Sequence, residues 1–286
     1  MNRLTTEDRV RILAVLCEGV GINAACRDTG ASKNTVLKLV ADVGQACALY
    51  QDQVMRNLKI TQLQVVEIWS FIGEMAKNVP ANAEPTLARG DCYTFIALDP
   101  VTKLMPCWLV GFRGYGSTDA FIEDLASRLA DSRQLPSDDF AASPAPDARD
   151  CGSNVNYGDL LTKSHAASPA AEAAMRPDDC TESISCTKPP KVGIPFTEKT
   201  STHHARRANE MMRINIRRFT RPTNGFSKKI ENHLHAVSFF VMVHNFVERN
   251  GSTNTTPAVA AGVATVQWSI EDILLMADTV TFGQPT

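Results

Sequence analysis

The stretch Val65–Ile72 reads VVEIWSFI. It is dense in β-branched and aromatic residues and predicts a strand. Successive strand side chains point to opposite sheet faces, so Val66 and Glu67 face different ways. Working outward, Cys92–Leu98 (CYTFIAL) is a second strand that ends where Asp99-Pro100 turns the chain. Leu104–Gly111 (LMPCWLVG) is a third, and its Pro106 marks an edge or a bulge. The connecting DPVTK makes this pair a hairpin. An amphipathic helix follows over Thr118–Leu129, with Phe121, Ile122, Leu125 and Leu129 on one side. Strands followed by a helix predict an α/β or α+β domain.

Ahead of this domain, the first fifty residues read as three short helices. Thr5 with Asp8 forms a capping box before an apolar stripe of Val10, Leu13, Ala14 and Cys17. A second helix runs near Asn23–Asp28 and closes at Thr29-Gly30. Ser32 caps a third, with Val36, Leu37, Val40 and Val43 inward, and a connecting helix follows around Cys47–Leu58. Two helices about a tight glycine turn match the helix-turn-helix pattern, which would expose Lys33, Asn34, Thr35 and Lys38 for base or phosphate contact. The same pattern also suits the end of an ordinary three-helix bundle.

Beyond the domain the composition changes twice. Between Pro136 and Pro190 the chain is rich in Ala, Ser, Pro and Asp and poor in large apolar residues, which predicts a low-order insertion. Order returns near Thr200. Ala205, Ala208, Met212, Ile216 and Phe219 recur at helical spacing up to Pro222, with Arg206, Arg213 and Arg217 on another face. A turn at Thr223-Asn224-Gly225 precedes a long helix capped by Ser227. Thr256-Pro257 opens a brief helix, and Ser269 with Asp272 boxes the last one.

Charge is distributed unevenly along a chain whose formal net charge is -2. Arg206–Glu231 holds eight Lys or Arg against two Glu, whereas Asp119–Asp159 holds nine acids against three Arg. Such opposed blocks suit a nucleic-acid binder, and equally suit two blocks that neutralise each other. Arg213 and Arg217 lie one turn apart and could track a phosphate backbone, while Arg217, Arg218, Arg221, Lys228 and Lys229 cluster at the turn, where Arg221, Lys228 and Lys229 could clamp it. The bland reading of this charge is a solvated helical face. The eight cysteines form no CxxC pair and predict reduced thiols in a cytoplasmic protein. No apolar run approaches the length of a membrane span, so no membrane partner is expected.

Several segments taken together resemble a known family. They are NTVLKLV (34–40), EIWSFIG (67–73), DPVTKLMPCWLVGFR (99–113), AFIEDLASRLA (120–130), MRINIRRFTRPTNGFSKKIENH (212–233), TPAVAAG (256–262) and WSIEDI (268–273). In this order and spacing they resemble the bacterial insertion-element transposases of the insertion-sequence-one type. The resemblance implies an α+β chain: a helix-turn-helix DNA-binding module over 1–60, then an RNase H-like DDE domain over 61–286 with an insertion at about 139–199 and C-terminal helices. It also implies double-stranded DNA as partner, a homo-oligomer or an intact transposase copy as a further one, and a divalent-metal cofactor, Mg²⁺ or Mn²⁺.

That chemistry needs carboxylates that hold two ions about 3.5 to 4 Å apart across the scissile phosphate. By resemblance the three acid places fall at Val66, Asp138 and Arg206. Only Asp138 is acidic, so only it could bind metal. Valine offers no lone pair, and arginine puts a positive charge where a cation would sit. Glu67 and Glu210 are the nearest substitutes. Glu67 should face the opposite side of the sheet, and Glu210 lies about 6 Å further along its helix. The resemblance therefore implies a catalytically impaired transposase. A non-enzymatic DNA-binding derivative at element ends and a non-functional remnant stay open as alternatives. Asp99 matches the family's second strand and no metal place.

Overall fold

Thr5 caps the first helix as its spacing to Asp8 predicts: its hydroxyl accepts from the Asp8 amide at 3.1 Å and donates to the Asp8 carboxylate at 2.7 Å. The computed structural model describes residues 4–60, 63–80, 86–113, 115–130, 133–138, 155–160, 190–192, 203–219 and 225–282. Helix α1 spans Thr6–Cys17 and α2 spans Ile22–Thr29, closed by Gly30 at φ 73°. Ser32 then caps α3, Lys33–Val54, its hydroxyl accepting from the Thr35 amide at 3.2 Å. The expected separate helix over Cys47–Leu58 does not exist, because α3 is one helix of 22 residues. The stretch holds no proline, and its weak point, Gly44, is braced by the backbone of His235 packed against it.

Six strands form one sheet in the order β3-β2-β1-β4-β5-β6. Strand β1 is Gln64–Ile72, β2 is Gly90–Leu98 and β3 is Trp108–Gly111. These three are antiparallel neighbours, with Val66 opposite Ile96 and Thr94 opposite Val110. Helix α4, Tyr115–Arg128, then carries the chain to β4, Arg133–Asp138, which runs parallel to β1 and to β5, Val155–Leu160. Strand β6, Pro190–Val192, closes the edge antiparallel to β5. Both β5 and β6 fall inside the insertion expected at 139–199, so part of it belongs to the sheet. The rest of that insertion lies outside the described residues.

The third strand begins at Trp108 and not at Leu104. Pro106 has no amide hydrogen for a ladder; the Leu104 and Cys107 carbonyls accept from the Asp99 and Ala97 amides at 2.8 and 3.0 Å, and the backbone groups of Lys103 and Met105 are met from a helix. The Asn245 carboxamide accepts from the Met105 amide and donates to the Met105 carbonyl, both at 2.9 Å, and His244 Nε2 lies 2.9 Å from the Lys103 carbonyl. Asn245 and Met105 are both buried. Asn245→Ala would leave a buried donor and acceptor without partners, at about 1–3 kcal/mol each. Urea denaturation should show a loss of about 2–6 kcal/mol with the slope unchanged.

Among the described residues, four helices follow the sheet. Helix α5 spans His203–Asn215 and is followed by a single 3₁₀ turn, Arg217–Phe219. The helix expected to continue through Phe219 therefore ends earlier, and Arg217 lies beyond it. Helix α6 spans Ile230–Phe246, α7 spans Pro257–Ala260 and α8 spans Ile270–Phe282. Ser227 does not cap α6: Lys229 holds that position with no side-chain bond, while the Ser227 hydroxyl serves His233. The Thr256 and Ser269 caps form as their spacing predicts.

Helix α6 is buried at every position from Val237 to Phe246, because α3 covers one side and the sheet the other. Ile12, Val36, Phe95, Phe121, Phe239, Phe246 and Ile273 belong to a single apolar core, so residues 4–54 share their interior with the sheet and the last helix. The Arg9 guanidinium reinforces this with a two-pronged pair to Asp278 at 2.9 and 2.7 Å. No helix among the described residues is long and apolar enough to cross a membrane. Cys17, Cys26, Cys47, Cys92 and Cys107 are all free of disulfides.

Candidate nucleic-acid interface

The face of β1 that carries Val66 is apolar. Val66 is 4% exposed and packs in a cluster with Ile68, Ile96, Met212, Phe219 and Val237. Val65 pairs in parallel with Ser137, which sets Val66 level with Asp138 at the end of β4. Met212 comes from α5, so the helix that bears Arg206 lies over the Val66 face. Two of the three acid places implied by the resemblance are thus neighbours in the sheet, and the third lies on the helix above them. The side chains of Asp138 and Arg206 lie outside the described residues.

Glu67 does not substitute for Val66. It sits on the opposite face, where the Arg113 guanidinium approaches its carboxylate at 3.2 Å while lying over the Tyr93 ring. Glu210 is exposed on α5. The fold keeps these two carboxylates apart, and they are no ligand pair. Asp99 is occupied with its own turn, accepting from the amides of Val101 and Thr102 at 2.9 and 3.3 Å. Among the described residues no group of three His, Cys, Asp or Glu could hold a metal ion. At the Val66 place a buried hydrocarbon in an apolar cluster offers a divalent ion neither charge nor oxygen.

The cations are arranged quite differently. A cavity of about 750 Å³ opens between the α1–α2 turn, the start of α3, the 3₁₀ turn and α6. Lys33, Arg217, Arg218, Lys228 and Lys229 line it together with Arg27, and Glu248 is the one acid among the described lining residues. Candidate helix-turn-helix residues and the basic segment therefore meet, although nearly two hundred positions separate them. Asn34 and Lys38 are exposed on α3 outside the cavity, and Thr35 is engaged with Ser32 at 2.8 Å. Arg213 is half-buried on α5 and does not line it. Arg221 lies outside the described residues. The sequence reading missed Arg27, whose only signal was its place in the last turn of α2.

Gly19 holds the two walls together. At φ 72° it occupies the left-handed region, and a Cβ there would lie 2.1 Å from the Ile214 carbonyl oxygen. Only glycine lets the α1–α2 turn press so closely on the end of α5. Lys228 lies against the Phe226 ring, 3.2 Å from its centroid, and Phe226 rests on Phe71 at 4.8 Å. This cation–π contact fixes one ammonium at the rim.

Arg218, a member of the basic cluster at the turn, points inward. Its guanidinium donates to Ser227 Oγ at 3.0 Å, and Ser227 Oγ lies 3.0 Å from His233 Nδ1. His233 Nε2 lies 3.4 Å from Ser70 Oγ, which donates to the Cys92 carbonyl. Because the Cys92 carbonyl can only accept, Ser70 gives its one proton there, so Nε2–H donates to Ser70 and, in the neutral ring, Nδ1 accepts from Ser227. Burial, with Arg218 nearby, pushes the His233 imidazole down to about 3, so it is neutral as this chain of bonds requires. Burial also lowers Arg218 to about 10, which leaves it charged at neutral pH.

Comparison with known proteins finds no family model and no curated protein that matches this chain.

Proposed function

We propose that this chain is a duplex-DNA-binding protein of transposase descent that does not cut DNA. The observation that carries the reading is the convergence of Lys33, at the start of α3, with Arg217, Lys228 and Lys229 at one opening. A duplex presents closely spaced phosphates, and cations brought together from separate segments can follow them. Phosphate contacts position a protein on DNA, while base edges specify sequence. The exposed Asn34 and Lys38 on α3 are the side chains free to reach a groove.

Descent from an RNase H-like enzyme is supported by the sheet. An antiparallel β1-β2-β3 meander, a crossover through α4 and parallel strands β4 and β5 give the strand order of that fold. Loss of cutting is supported by Val66, buried in hydrocarbon at the first acid place, and by the ion pair that holds Glu67 on the other face.

Supercoiled plasmid and a labelled duplex test both halves. Purified protein should retard the duplex in a gel and leave the plasmid supercoiled in Mg²⁺ or Mn²⁺. Metal-dependent nicking by pure protein would overturn the non-cutting half. Failure to retard any duplex at low salt would overturn the binding half.

A further inference from the structure

Phosphate contact gives the rim cations a role and leaves the cavity floor without one. Below the rim the walls are Leu16, Leu37, Ile216, Phe239 and Phe240, contributed by four separate segments. A duplex backbone is solvated and anionic and gains nothing from such walls. An opening of about 750 Å³ lies in the range of small-molecule sites, which are mostly apolar with a few polar groups that orient the ligand. Here those groups are cationic: Arg27 and Lys33 on one side, Arg217 and Lys229 on the other.

The geometry points to a site for a small anionic amphiphile, with an aromatic or acyl body against the floor and a carboxylate, sulfonate or phosphate head at the rim. Its head would occupy the cations that a duplex needs, so ligand and DNA compete. That competition rests on the duplex-binding reading; the site itself does not.

The test uses the full chain and two fluorescent probes, 8-anilinonaphthalene-1-sulfonate and the uncharged N-phenyl-1-naphthylamine. The sulfonate should bind saturably at one site and displace a labelled duplex. Arg217→Gln with Lys229→Gln should weaken the sulfonate about tenfold, a change of about 1.4 kcal/mol, and leave the neutral probe unaffected. Ala236→Phe, which fills the cavity from α6, should abolish saturable binding of both probes while keeping the wild-type melting temperature. Equal sulfonate affinity in the wild type and the double glutamine variant would overturn the site, as would unsaturable binding at many sites. If Ala236→Phe melts early, the glutamine pair alone decides. Duplex binding with no sulfonate binding removes the site and keeps the function; sulfonate binding with no duplex binding does the reverse. Binding of both without displacement overturns the competition.

Discussion

Gly44→Ala should destabilise the protein by about 2 kcal/mol or more, against the direction that helix propensity gives. In an exposed helix this exchange stabilises by about 1 kcal/mol. At Gly44 a Cβ would lie 2.5 Å from the His235 carbonyl oxygen and 2.7 Å from its Cα. These are backbone atoms inside α6 and cannot rotate away, so α3 and α6 must separate. Separation strains two buried bonds across the crossing, Ser238 Oγ to the Gly44 carbonyl at 2.8 Å and Gln51 Nε2 to the Ser238 carbonyl at 3.2 Å. Overpacking costs about 1–3 kcal/mol and each strained bond about 1 kcal/mol, which together exceed the propensity gain. Thermal unfolding should fall by several degrees, at about 2–4 °C per kcal/mol. Gly116→Ala is the control, because in α4 a Cβ would meet nothing within 4 Å. It should be neutral or slightly stabilising. A raised melting temperature for Gly44→Ala would contradict the close crossing that fixes the N-terminal helices to the rest.

That crossing shows where the sequence stops being legible. The caps at Thr5, Ser32, Thr256 and Ser269 could be read because donor and acceptor lie within four residues of each other. The three antiparallel strands could be read from their β-branched and aromatic runs, and the opposed facing of Val66 and Glu67 from the two-residue period alone. What failed depends on partners far along the chain. Gly44 looks like a helix breaker until His235 is seen against it. Ser227 looks like a cap until His233 and Arg218 claim its hydroxyl. Leu104–Cys107 looks like strand until Asn245 takes the Met105 backbone bonds. Strand β5 was hidden because VNYGDL sits in a segment whose average composition reads as low order. In the candidate site, the five cations of the basic segment and α3 were legible as charge. Their meeting around one opening, with Arg27 added and Arg218 turned inward, was not, since it depends on Gly19 pressing one wall onto the other.

Reversing two of those charges should give the largest functional effect. Arg217→Glu with Lys229→Glu removes two cations from the opening and adds two anions, so under the proposed function the protein would repel a phosphate backbone. Duplex affinity at low salt should drop by about a hundredfold or more, on all sequences alike, as expected for contacts to phosphate and not to bases. Both residues lie at the cavity and outside the apolar core, so the melting temperature should stay near wild type.

Salt dependence tests the claim most directly. With labelled duplex followed by fluorescence anisotropy, log Kobs against log salt should be linear. Lys33, Arg217, Lys228 and Lys229 together predict a slope of about −3 to −4 for the wild-type protein, flattened by about two in the double variant. A wild-type affinity that does not change with salt, or a double variant that keeps the wild-type slope, would contradict the assignment of this opening to a DNA backbone.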